Sequence, residues 1–344
     1  MDHANQACPW PLAFVPYHLL DGRPNVIVDG SATDGTVLVL SHWPNAPAPP
    51  PGLERDLSAE MAVAYLDEPG FHGPAALVSN NHFDQDGLVS LYALTDPAGA
   101  QRLGDLLVDL AAAGDFAVYR HRDAARASMV LAAYADPDRS PLGPAPDDYA
   151  EWTGTLYEEL LGRLPELVEY PERYRTLWAD EDARLSESEQ LVTSGRVSAR
   201  EDANLDLAVV DVPGDGPTGG GHRFGGQWCP GLHPMAIYNA LRAFTVLTVR
   251  GRQYEVVYRY ETWVQYRSRR PRPRVDLRPL AAELNEIEKE GQWVFDGVSA
   301  LTPRLHLVGA DESSIGASRF EAMLRRHLSD SSPAWDPYGS VRKA

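Results

Sequence analysis

The chain has 344 residues, 44% of them hydrophobic, which is enough for two globular domains of ordinary size. Its formal net charge of −18 argues against extended nucleic acid and anionic membrane surfaces as partners, because both attract positive charge. No apolar run approaches the roughly 20 residues of a membrane helix, and the first residues lack the basic and apolar stretches of a signal peptide, so we expect a cytoplasmic protein without a membrane segment.

Three short apolar runs near the start of the chain, at 25–30, 36–41 and 75–79, predict buried β-strands. Polar residues follow or end each run: Asp29, His42, and the group His82, Asp84 and Asp86. A proline-rich loop at 45–52 and a helix at 56–66 separate the second run from the third. Strands that alternate with helices indicate a parallel sheet, whose carboxyl ends meet at one edge. We therefore expect these polar side chains to lie close together.

Imidazole and carboxylate groups in this number suit a divalent cation such as Mn²⁺ or Mg²⁺. The alternative interpretation is a polar turn in which the aspartates only cap the helix that follows, over residues 88–94. A turn does not require Asp29 and His42 at the ends of two further strands, so their convergence favours a ligand site.

Helical patterns dominate the middle of the chain. One amphipathic helix is predicted over 96–114, with Asp96 as its cap, Pro97 in its first turn and Gly114 at its end. Another helix follows at 123–135, and residues 137–146 have the composition of a linker. From 147 to about 195 the sequence is charged and helical, which indicates a connector between two domains.

The second half predicts a smaller α/β domain. Its predicted elements are a strand at 205–212, a mobile glycine loop at 219–226, a helix at 233–241, paired strands at 244–249 and 253–263, a helix at 279–290, and a last helix from Ser314. The two cysteines, Cys8 and Cys229, indicate neither a disulfide framework nor a zinc site. The predicted division is 1–146, a helical connector at 147–204, and 205–344.

Six arginines lie in the stretch from Tyr266 to Arg278, with Arg278 included, which is unusual in so acidic a chain. Arginine binds phosphate or carboxylate groups through two parallel hydrogen bonds. We therefore predict that Arg267 and Arg269 bind an anionic substrate. Arg267 is the first choice, because it lies nearest the end of the predicted strand. The alternative is that the arginines pair with surface carboxylates, which is common.

These residues and their order resemble the DHH phosphoesterase superfamily with its DHH-associated C-terminal domain. Val26-Ile-Val-Asp29 resembles the second motif of that family, in which a strand ends in a metal-bridging aspartate. Ser41-His42-Trp43 resembles the Asp-His-His motif with only the middle histidine kept. The stretch from His82 to Gly87 has the spelling of the first motif, His-x-Asp-x-Asp-Gly, and the chain position of the fourth. Either assignment places Asp84 or Asp86 at the metal site.

The resemblance implies a metal-dependent hydrolase that acts on a small phosphorylated or nucleotide-like anion in a cleft between the two domains. Metal ligands would be Asp29, His42, His82, Asp84 and Asp86, and among them His42, Asp84 and Asp86 would serve catalysis. Ser41 and Trp43 replace family ligands, which favours two alternatives: a non-catalytic protein that binds a small anion or a protein partner, or an enzyme of different chemistry. A homodimer stays open, since the sequence does not determine the oligomeric state.

Overall fold

A computed structural model of the chain describes residues 10–215, 222–224, 227–229 and 231–339. Most of the predicted glycine loop and Cys8 lie outside these residues, as does the side chain of Cys229. The described chain forms two compact units. The first comprises the residues up to Asp182 together with Tyr266–Ser268, and the second comprises Ala183–Gln265 and the residues from Arg269 onward. The predicted α/β class is confirmed.

The first unit contains a four-stranded parallel sheet. Its strands are β1 (Ala13–Phe14), β2 (Asn25–Val28), β3 (Thr36–Leu40) and β4 (Leu77–Ser79), in the order β1-β4-β2-β3. All of its neighbouring strands are parallel. Every residue of β2 is buried, as expected for a central strand covered on both faces. The sheet therefore presents the carboxyl ends of β2, β3 and β4 at one edge.

Helices account for most of the rest of the first unit. They are α1 (Ser58–Leu66), α2 (Gln85–Thr95), α3 (Pro97–Leu103), α4 (Asp105–Asp115), α5 (Arg122–Ala135), α6 (Tyr149–Glu169) and α7 (Arg175–Thr193), the last of which contains the boundary between the units. The prediction of one helix over 96–114 was wrong, because Gly104 has a φ of +51° and separates α3 from α4. The predicted cap is correct: Asp96 accepts a hydrogen bond from the Gly99 N–H at 3.0 Å.

The second unit is built on a six-stranded mixed sheet with the order β12-β13-β10-β9-β6-β5. Its elements, including two small two-stranded sheets, are β5 (Ser198–Asp202), β6 (Leu207–Val212), β7 (His222–Phe224), β8 (Gln227–Cys229), α8 (Pro234–Tyr238), β9 (Thr245–Arg250), β10 (Gln253–Tyr258), β11 (Arg274–Val275), α9 (Arg278–Asn285), β12 (Gln292–Phe295), β13 (Arg304–Val308), α10 (Ala317–Asp330) and β14 (Pro333–Trp335). Its core packs side chains of the sheet, such as Leu247 and Val256, against Leu284 of α9 and Phe320 of α10. Strand β6 pairs with β9 in parallel, whereas the other neighbours in this sheet are antiparallel.

Several predicted boundaries in the second unit shift. Strand β10 ends at Tyr258 rather than at Trp263, because a short 3₁₀ turn at Tyr260–Thr262 takes the chain out of the sheet. Helix α9 ends at Asn285, five residues before the predicted end, and helix α10 begins at Ala317, three residues after the predicted start. In the described parts of the chain, no helix has the length and apolar character needed to cross a membrane.

Candidate metal centre

The parallel sheet of the first unit brings three polar chain segments to one edge. Asp29 directly follows β2, His42 lies two residues beyond β3, and His82 lies three residues beyond β4. Since β2 lies between β4 and β3, Asp29 occupies the middle of this edge. Asp29 has a φ of +43°, and its N–H donates to the Leu40 carbonyl at 2.9 Å. A non-glycine residue in the left-handed region is uncommon, and such residues cluster at functional sites.

Asp29, His42 and Asp86 form a buried group whose ligand atoms lie within 4.8 Å of one another. His42 Nε2 is 3.5 Å from Asp29 Oδ1 and 3.9 Å from Asp86 Oδ2. The exposed fraction of each of these side chains is 1% or less. We call these three residues the inner group. Their enclosure means that any ion held there has little contact with bulk water.

The protonation of His42 follows from its other ring nitrogen. Nδ1 lies 2.5 Å from the carbonyl oxygen of Asp56, which can only accept a hydrogen bond, so Nδ1 carries the proton. In the neutral ring, Nε2 then directs a lone pair towards carboxylate oxygens. A histidine that donates one N–H to a backbone carbonyl and offers its other nitrogen is the usual arrangement of a metal ligand.

Asp115, the last residue of α4, adds a further carboxylate to the inner group. Its Oδ2 lies 3.4 Å from His42 Nε2, which is closer than either of the other two carboxylates. The Asp115 side chain is 5% exposed. Asp115 therefore brings a third carboxylate within 4 Å of His42 Nε2, from a chain segment separate from those of Asp29 and Asp86.

Asp29, His82 and Asp84 form a second group, which also satisfies the distance requirement for holding an ion. His82 Nε2 is 2.8 Å from Asp84 Oδ2 and 3.4 Å from Asp29 Oδ2. His82 and Asp84 are 19% and 25% exposed, so this outer group is open to solvent where the inner group is closed. Trp43 borders the outer group, with its ring centroid 4.9 Å from that of His82.

Asp29 belongs to both groups and uses a different oxygen in each. Oδ1 faces His42 and accepts a hydrogen bond from the Ser58 hydroxyl at 2.8 Å. Oδ2 faces His82 and is buried without a hydrogen bond. A buried carboxylate oxygen without a hydrogen bond is costly, so Oδ2 has the capacity for a positive partner in addition to His82, whose Nε2 is 3.4 Å away. The donor set of carboxylates and imidazoles fits Mn²⁺ or Mg²⁺, and the fit is better for Mn²⁺ because of the histidines.

Two helix starts hold the carboxylates in place. At the start of α1, the N–H groups of Ser58 and Ala59 each donate to one oxygen of Asp86 at 2.8 Å. At the start of α2, Asp84 is the cap and accepts from the Gly87 N–H at 2.7 Å. Gly87 cannot carry a side chain there, because a Cβ would lie 2.4 Å from both the Asn80 amide and the Tyr157 hydroxyl. The predicted capping role is thus correct for Asp84 and coexists with the ligand arrangement.

The crowding of acidic groups alters their pKa values. Burial and the charges of Asp29 and Asp84 raise the pKa of Asp86 well above its usual range, against the two amide bonds from α1. Burial also opposes the charged form of Asp29, but His82, His42 and Ser58 outweigh it and lower the Asp29 pKa. Burial favours neutral His82, yet Asp84 and Asp29 raise its pKa well above the usual value. These carboxylates therefore compete for the positive charge of His82, and a divalent cation would relieve that competition.

The two arginines predicted to bind substrate lie in different units. Arg267 belongs to the first unit, and its backbone N–H donates to Asp56 Oδ1 at 2.6 Å. Arg269 belongs to the second unit, where its guanidinium pairs with Asp206 at 3.1 Å and lies 3.7 Å from the centroid of the Phe244 ring. The neighbouring arginines bind as follows: Arg270 to Asp336, Arg272 to two backbone carbonyls, Arg274 to a hydroxyl and three carbonyls, and Arg278 to Asp276. Most of the arginine-rich stretch thus follows the alternative in which arginines serve local structure.

Sequence reasoning found Asp29, His42, His82, Asp84 and Asp86 but missed the residues that complete the centre. Asp115 was missed because the predicted helix ended at Gly114. An aspartate at the last position of a helix is unfavourable for the helix dipole, and this was a signal that another role keeps it there. Asp56 and Ser58 lie at the start of the predicted helix at 56–66, where their residue types indicate only a helix start. Ser58 turns out to bind Asp29, and the carbonyl of Asp56 binds His42.

Comparison with known proteins identifies a family without identifying a function. Residues 11–339 match the model of a family of unknown function, DUF6687, and the chain belongs to that family. No curated protein matches the chain, and no solved structure matches it either. The chemistry of the site therefore has to be inferred from its own geometry.

Proposed function

Because the family has no assigned function, we propose from the geometry that this protein is a metal-dependent hydrolase of small phosphorylated or nucleotide-like substrates. The observation that carries the proposal is the shared carboxylate of Asp29, which serves the inner group with one oxygen and the outer group with the other. Two such groups side by side suit the cleavage of phosphate esters and anhydrides, in which both the attacking and the leaving oxygen need stabilisation. Their similarity to the ligand pattern of the DHH superfamily supports the same chemistry.

The residues divide between holding the cation and meeting the substrate. Asp29, His42, Asp86 and Asp115 would hold a cation in the inner group, where α1 fixes Asp86 and the Asp56 carbonyl fixes the His42 ring. Asp29, His82 and Asp84 would hold a second one in the outer group. Mn²⁺ or Mg²⁺ bound there supplies Lewis acidity, which activates water and neutralises charge on a phosphoryl oxygen.

Access to solvent supports the outer group as the reactive side of the centre. His82 and Asp84 are 19% and 25% exposed, whereas His42 and Asp86 are fully buried. A substrate anion therefore approaches past His82, Asp84 and Trp43. Two hydrogen bonds within the unit keep this side preorganised: the His82 backbone N–H donates to the Asn80 side-chain oxygen, and the Gly87 N–H donates to Asp84.

Arg267 is the proposed partner for the substrate phosphate. Its backbone is bonded to Asp56, which also contacts the ligand His42, so Arg267 is anchored within the same unit as the centre. The charge of Arg267 also contributes to lowering the pKa of Glu54, after the larger effects of hydrogen bonds from backbone N–H groups. Arg269 is bound to Asp206, and its predicted role in substrate binding has less support.

Metal content and hydrolysis should be measured together on the purified protein. We expect Mn²⁺-dependent hydrolysis of at least one member of a panel of phosphomonoesters, phosphodiesters and phosphoanhydrides. Asp84→Asn and His42→Ala should each lower kcat/KM by at least about 100-fold, since each removes a group that holds the cation. Asp67→Asn, an exposed aspartate at the end of α1, is the matched control and should leave the rate unchanged.

Two results would contradict the proposal in different ways. A protein that neither binds nor responds to Mn²⁺, Mg²⁺ or Zn²⁺ and hydrolyses nothing in the panel is not this hydrolase. Hydrolysis that survives in both variants would place the reaction at another site.

A non-catalytic cation-binding protein is the second candidate, and two observations favour it. The inner group is enclosed, and at the outer group Trp43 lies against His82. Such a protein would bind Mn²⁺ and become more stable, yet show no turnover with any of the panel substrates. Arg267→Ala separates the two candidates further, because in the hydrolase it raises KM for anionic substrates while leaving the metal content unchanged.

A further inference from the structure

We propose that Asp56 is a positioning residue that couples cation binding at His42 to the placement of the segment Tyr266–Ser268. This inference rests on the cation site proposed above, and it adds a residue and a coupling that neither the motifs nor the ligand groups contain. Asp56 is partly buried and lies two residues before Ser58, the first residue of α1. Its main chain and its side chain bind different parts of the first unit.

The side chain of Asp56 anchors the distant segment. Its Oδ1 accepts hydrogen bonds from two consecutive backbone N–H groups, that of Arg267 at 2.6 Å and that of Ser268 at 2.8 Å. A carboxylate that accepts two amide bonds makes charge-assisted contacts of roughly twice the strength of neutral ones. These contacts join residues more than two hundred positions apart in the chain, and they hold Tyr266–Ser268 in the first unit.

The main chain of Asp56 holds the metal ligand. Its carbonyl oxygen accepts the Nδ1–H of His42 at 2.5 Å and thereby sets both the tautomer and the orientation of the ring. When Nε2 binds a cation, the ring becomes a stronger donor at Nδ1, so the bond to the Asp56 carbonyl strengthens. The same residue that receives this stronger bond also holds the amides of Arg267 and Ser268.

An aromatic contact also connects His42 with the segment Tyr266–Ser268. The Phe116 ring packs edge-on against Tyr266 with centroids 5.1 Å apart, and it lies 6.2 Å from the His42 ring. Phe116 directly follows Asp115, whose carboxylate faces His42. Movement of His42 or Asp115 on cation binding therefore reaches Tyr266–Ser268 through packing as well as through Asp56. The consequence is that a bound cation steadies the segment from which Arg267 projects.

The coupling must be reciprocal, because linked equilibria affect each other by the same factor. A cation that steadies the segment slows the exchange of its amide hydrogens, and loss of the anchor weakens cation binding. Hydrogen–deuterium exchange of peptides that cover 266–268, with and without saturating Mn²⁺, measures the first effect. Titration calorimetry with Mn²⁺ measures the second, and both use the full chain.

Three variants separate anchoring from general stability. Asp56→Ala removes the side-chain oxygen but keeps the carbonyl that binds His42, so the metal ligand stays in place. Asp56→Asn keeps an oxygen that can accept both amides, and it should preserve the coupling. Asp67→Ala, in an exposed position, is the control.

In the wild type we expect Mn²⁺ to slow exchange at 266–268 by about 5- to 10-fold, within the usual range of coupling between sites. In Asp56→Ala the segment should exchange fast with or without Mn²⁺, and the Kd for Mn²⁺ should rise by a similar factor of about 5 to 10. Asp56→Asn and Asp67→Ala should resemble the wild type.

Each failure has a distinct meaning. If the wild type binds Mn²⁺ but exchange at 266–268 does not change, the coupling is wrong while the metal centre stands. If calorimetry detects no binding of Mn²⁺ to the wild type, the metal centre fails and the coupling fails with it. An Asp56→Ala protein that still shows the Mn²⁺-dependent slowing, or an Asp56→Asn protein that loses it, would overturn the role of Asp56.

Discussion

Both units bury charged side chains, but the two units differ in how many hydrogen-bond partners they provide for them. In the second unit, Arg274 is 0% exposed and each nitrogen of its guanidinium has a partner within the chain. Its donors reach the Thr262 hydroxyl at 2.7 Å and carbonyls of the loop at 298–301 at 2.6 to 2.8 Å. In the first unit, the buried Asp29 keeps one oxygen without a hydrogen bond, and three carboxylates crowd around His42.

The contrast separates a structural charge from one that is arranged for a ligand. A buried charge is tolerated when the protein supplies its partners, as it does for Arg274. Burial lowers the pKa of Arg274 to about 9, so the guanidinium still carries its charge at neutral pH. Around Asp29 the protein supplies too few donors for the negative charge it collects. Such an imbalance is costly to folding, and a cation-binding role accounts for it.

The largest expected effect comes from removing the structural charge. Arg274→Met should lower the free energy of unfolding by about 3 to 5 kcal/mol, because it leaves three loop carbonyls and a hydroxyl without their donor. Chemical denaturation measures the change, and Mn²⁺ should not restore the loss.

Arg278→Met is the matched control in the same stretch of chain. Arg278 is 71% exposed and pairs with Asp276 at the surface, so we expect its loss of stability to be far smaller than that of Arg274→Met. Equal losses in the two variants would show that the burial of Arg274 does not decide its contribution.

Asp29→Asn tests the other side of the comparison. Without metal, the free energy of unfolding should change by less than about 1 kcal/mol, since an asparagine oxygen can still accept from Ser58. At a Mn²⁺ concentration about 100 times its Kd, the wild type should gain about 2.7 kcal/mol, and the variant should gain none because Asp29 serves both groups. Thermal unfolding with and without Mn²⁺ measures the difference.

Asp109→Asn is a suitable control for that variant, because Asp109 is a buried carboxylate of the same unit whose oxygens accept from the N–H groups of Arg120 and His121. This variant should be less stable without metal but should keep the full gain from Mn²⁺. Retention of the Mn²⁺ gain in Asp29→Asn would remove Asp29 from the proposed centre.

The smallest expected change in stability concerns Glu288 of the second unit, whose two carboxylate oxygens both accept hydrogen bonds. Burial would raise its pKa, but hydrogen bonds from Ser313, Ser314 and Trp293 outweigh burial and lower the pKa to about 2. Because this pKa lies below the usual 4.5, the ionised group stabilises the fold above pH 4.5, and that contribution is lost as the pH falls towards 2.

Glu288→Gln should therefore lower the free energy of unfolding by about 1 kcal/mol at pH 7, a value reduced to allow for solvent screening of a partly exposed group. The difference from the wild type should shrink between pH 4.5 and pH 2, as measured by denaturation across that range. A difference that stays constant over this interval would mean that the charge of Glu288 does not contribute to it.

Local sequence patterns were enough to predict several strands and helix starts of the first unit. Buried runs such as Val26–Val28 predict strands, because a central parallel strand is covered on both faces. Parallel pairing then places Asp29, His42 and His82 at one edge, since the carboxyl ends of such strands coincide. The start of α3 was also predictable, because Asp96 and Pro97 satisfy the first turn of a helix through contacts of short range.

What the sequence determined by itself is therefore the strands β2, β3 and β4 of the first unit and the polar residues that follow them, since both depend on neighbours within a few positions. Only the tertiary structure brought Asp115 to His42, placed Ser58 and Asp56 around the ligands, and divided the arginines between the first and second units. These contacts join residues far apart in the chain, and which of them form depends on how the helices pack and on which buried charges find partners. Periodicity and spacing in the sequence do not indicate which of these contacts form. An acidic residue at a helix end has the same local pattern whether it faces water or a buried histidine.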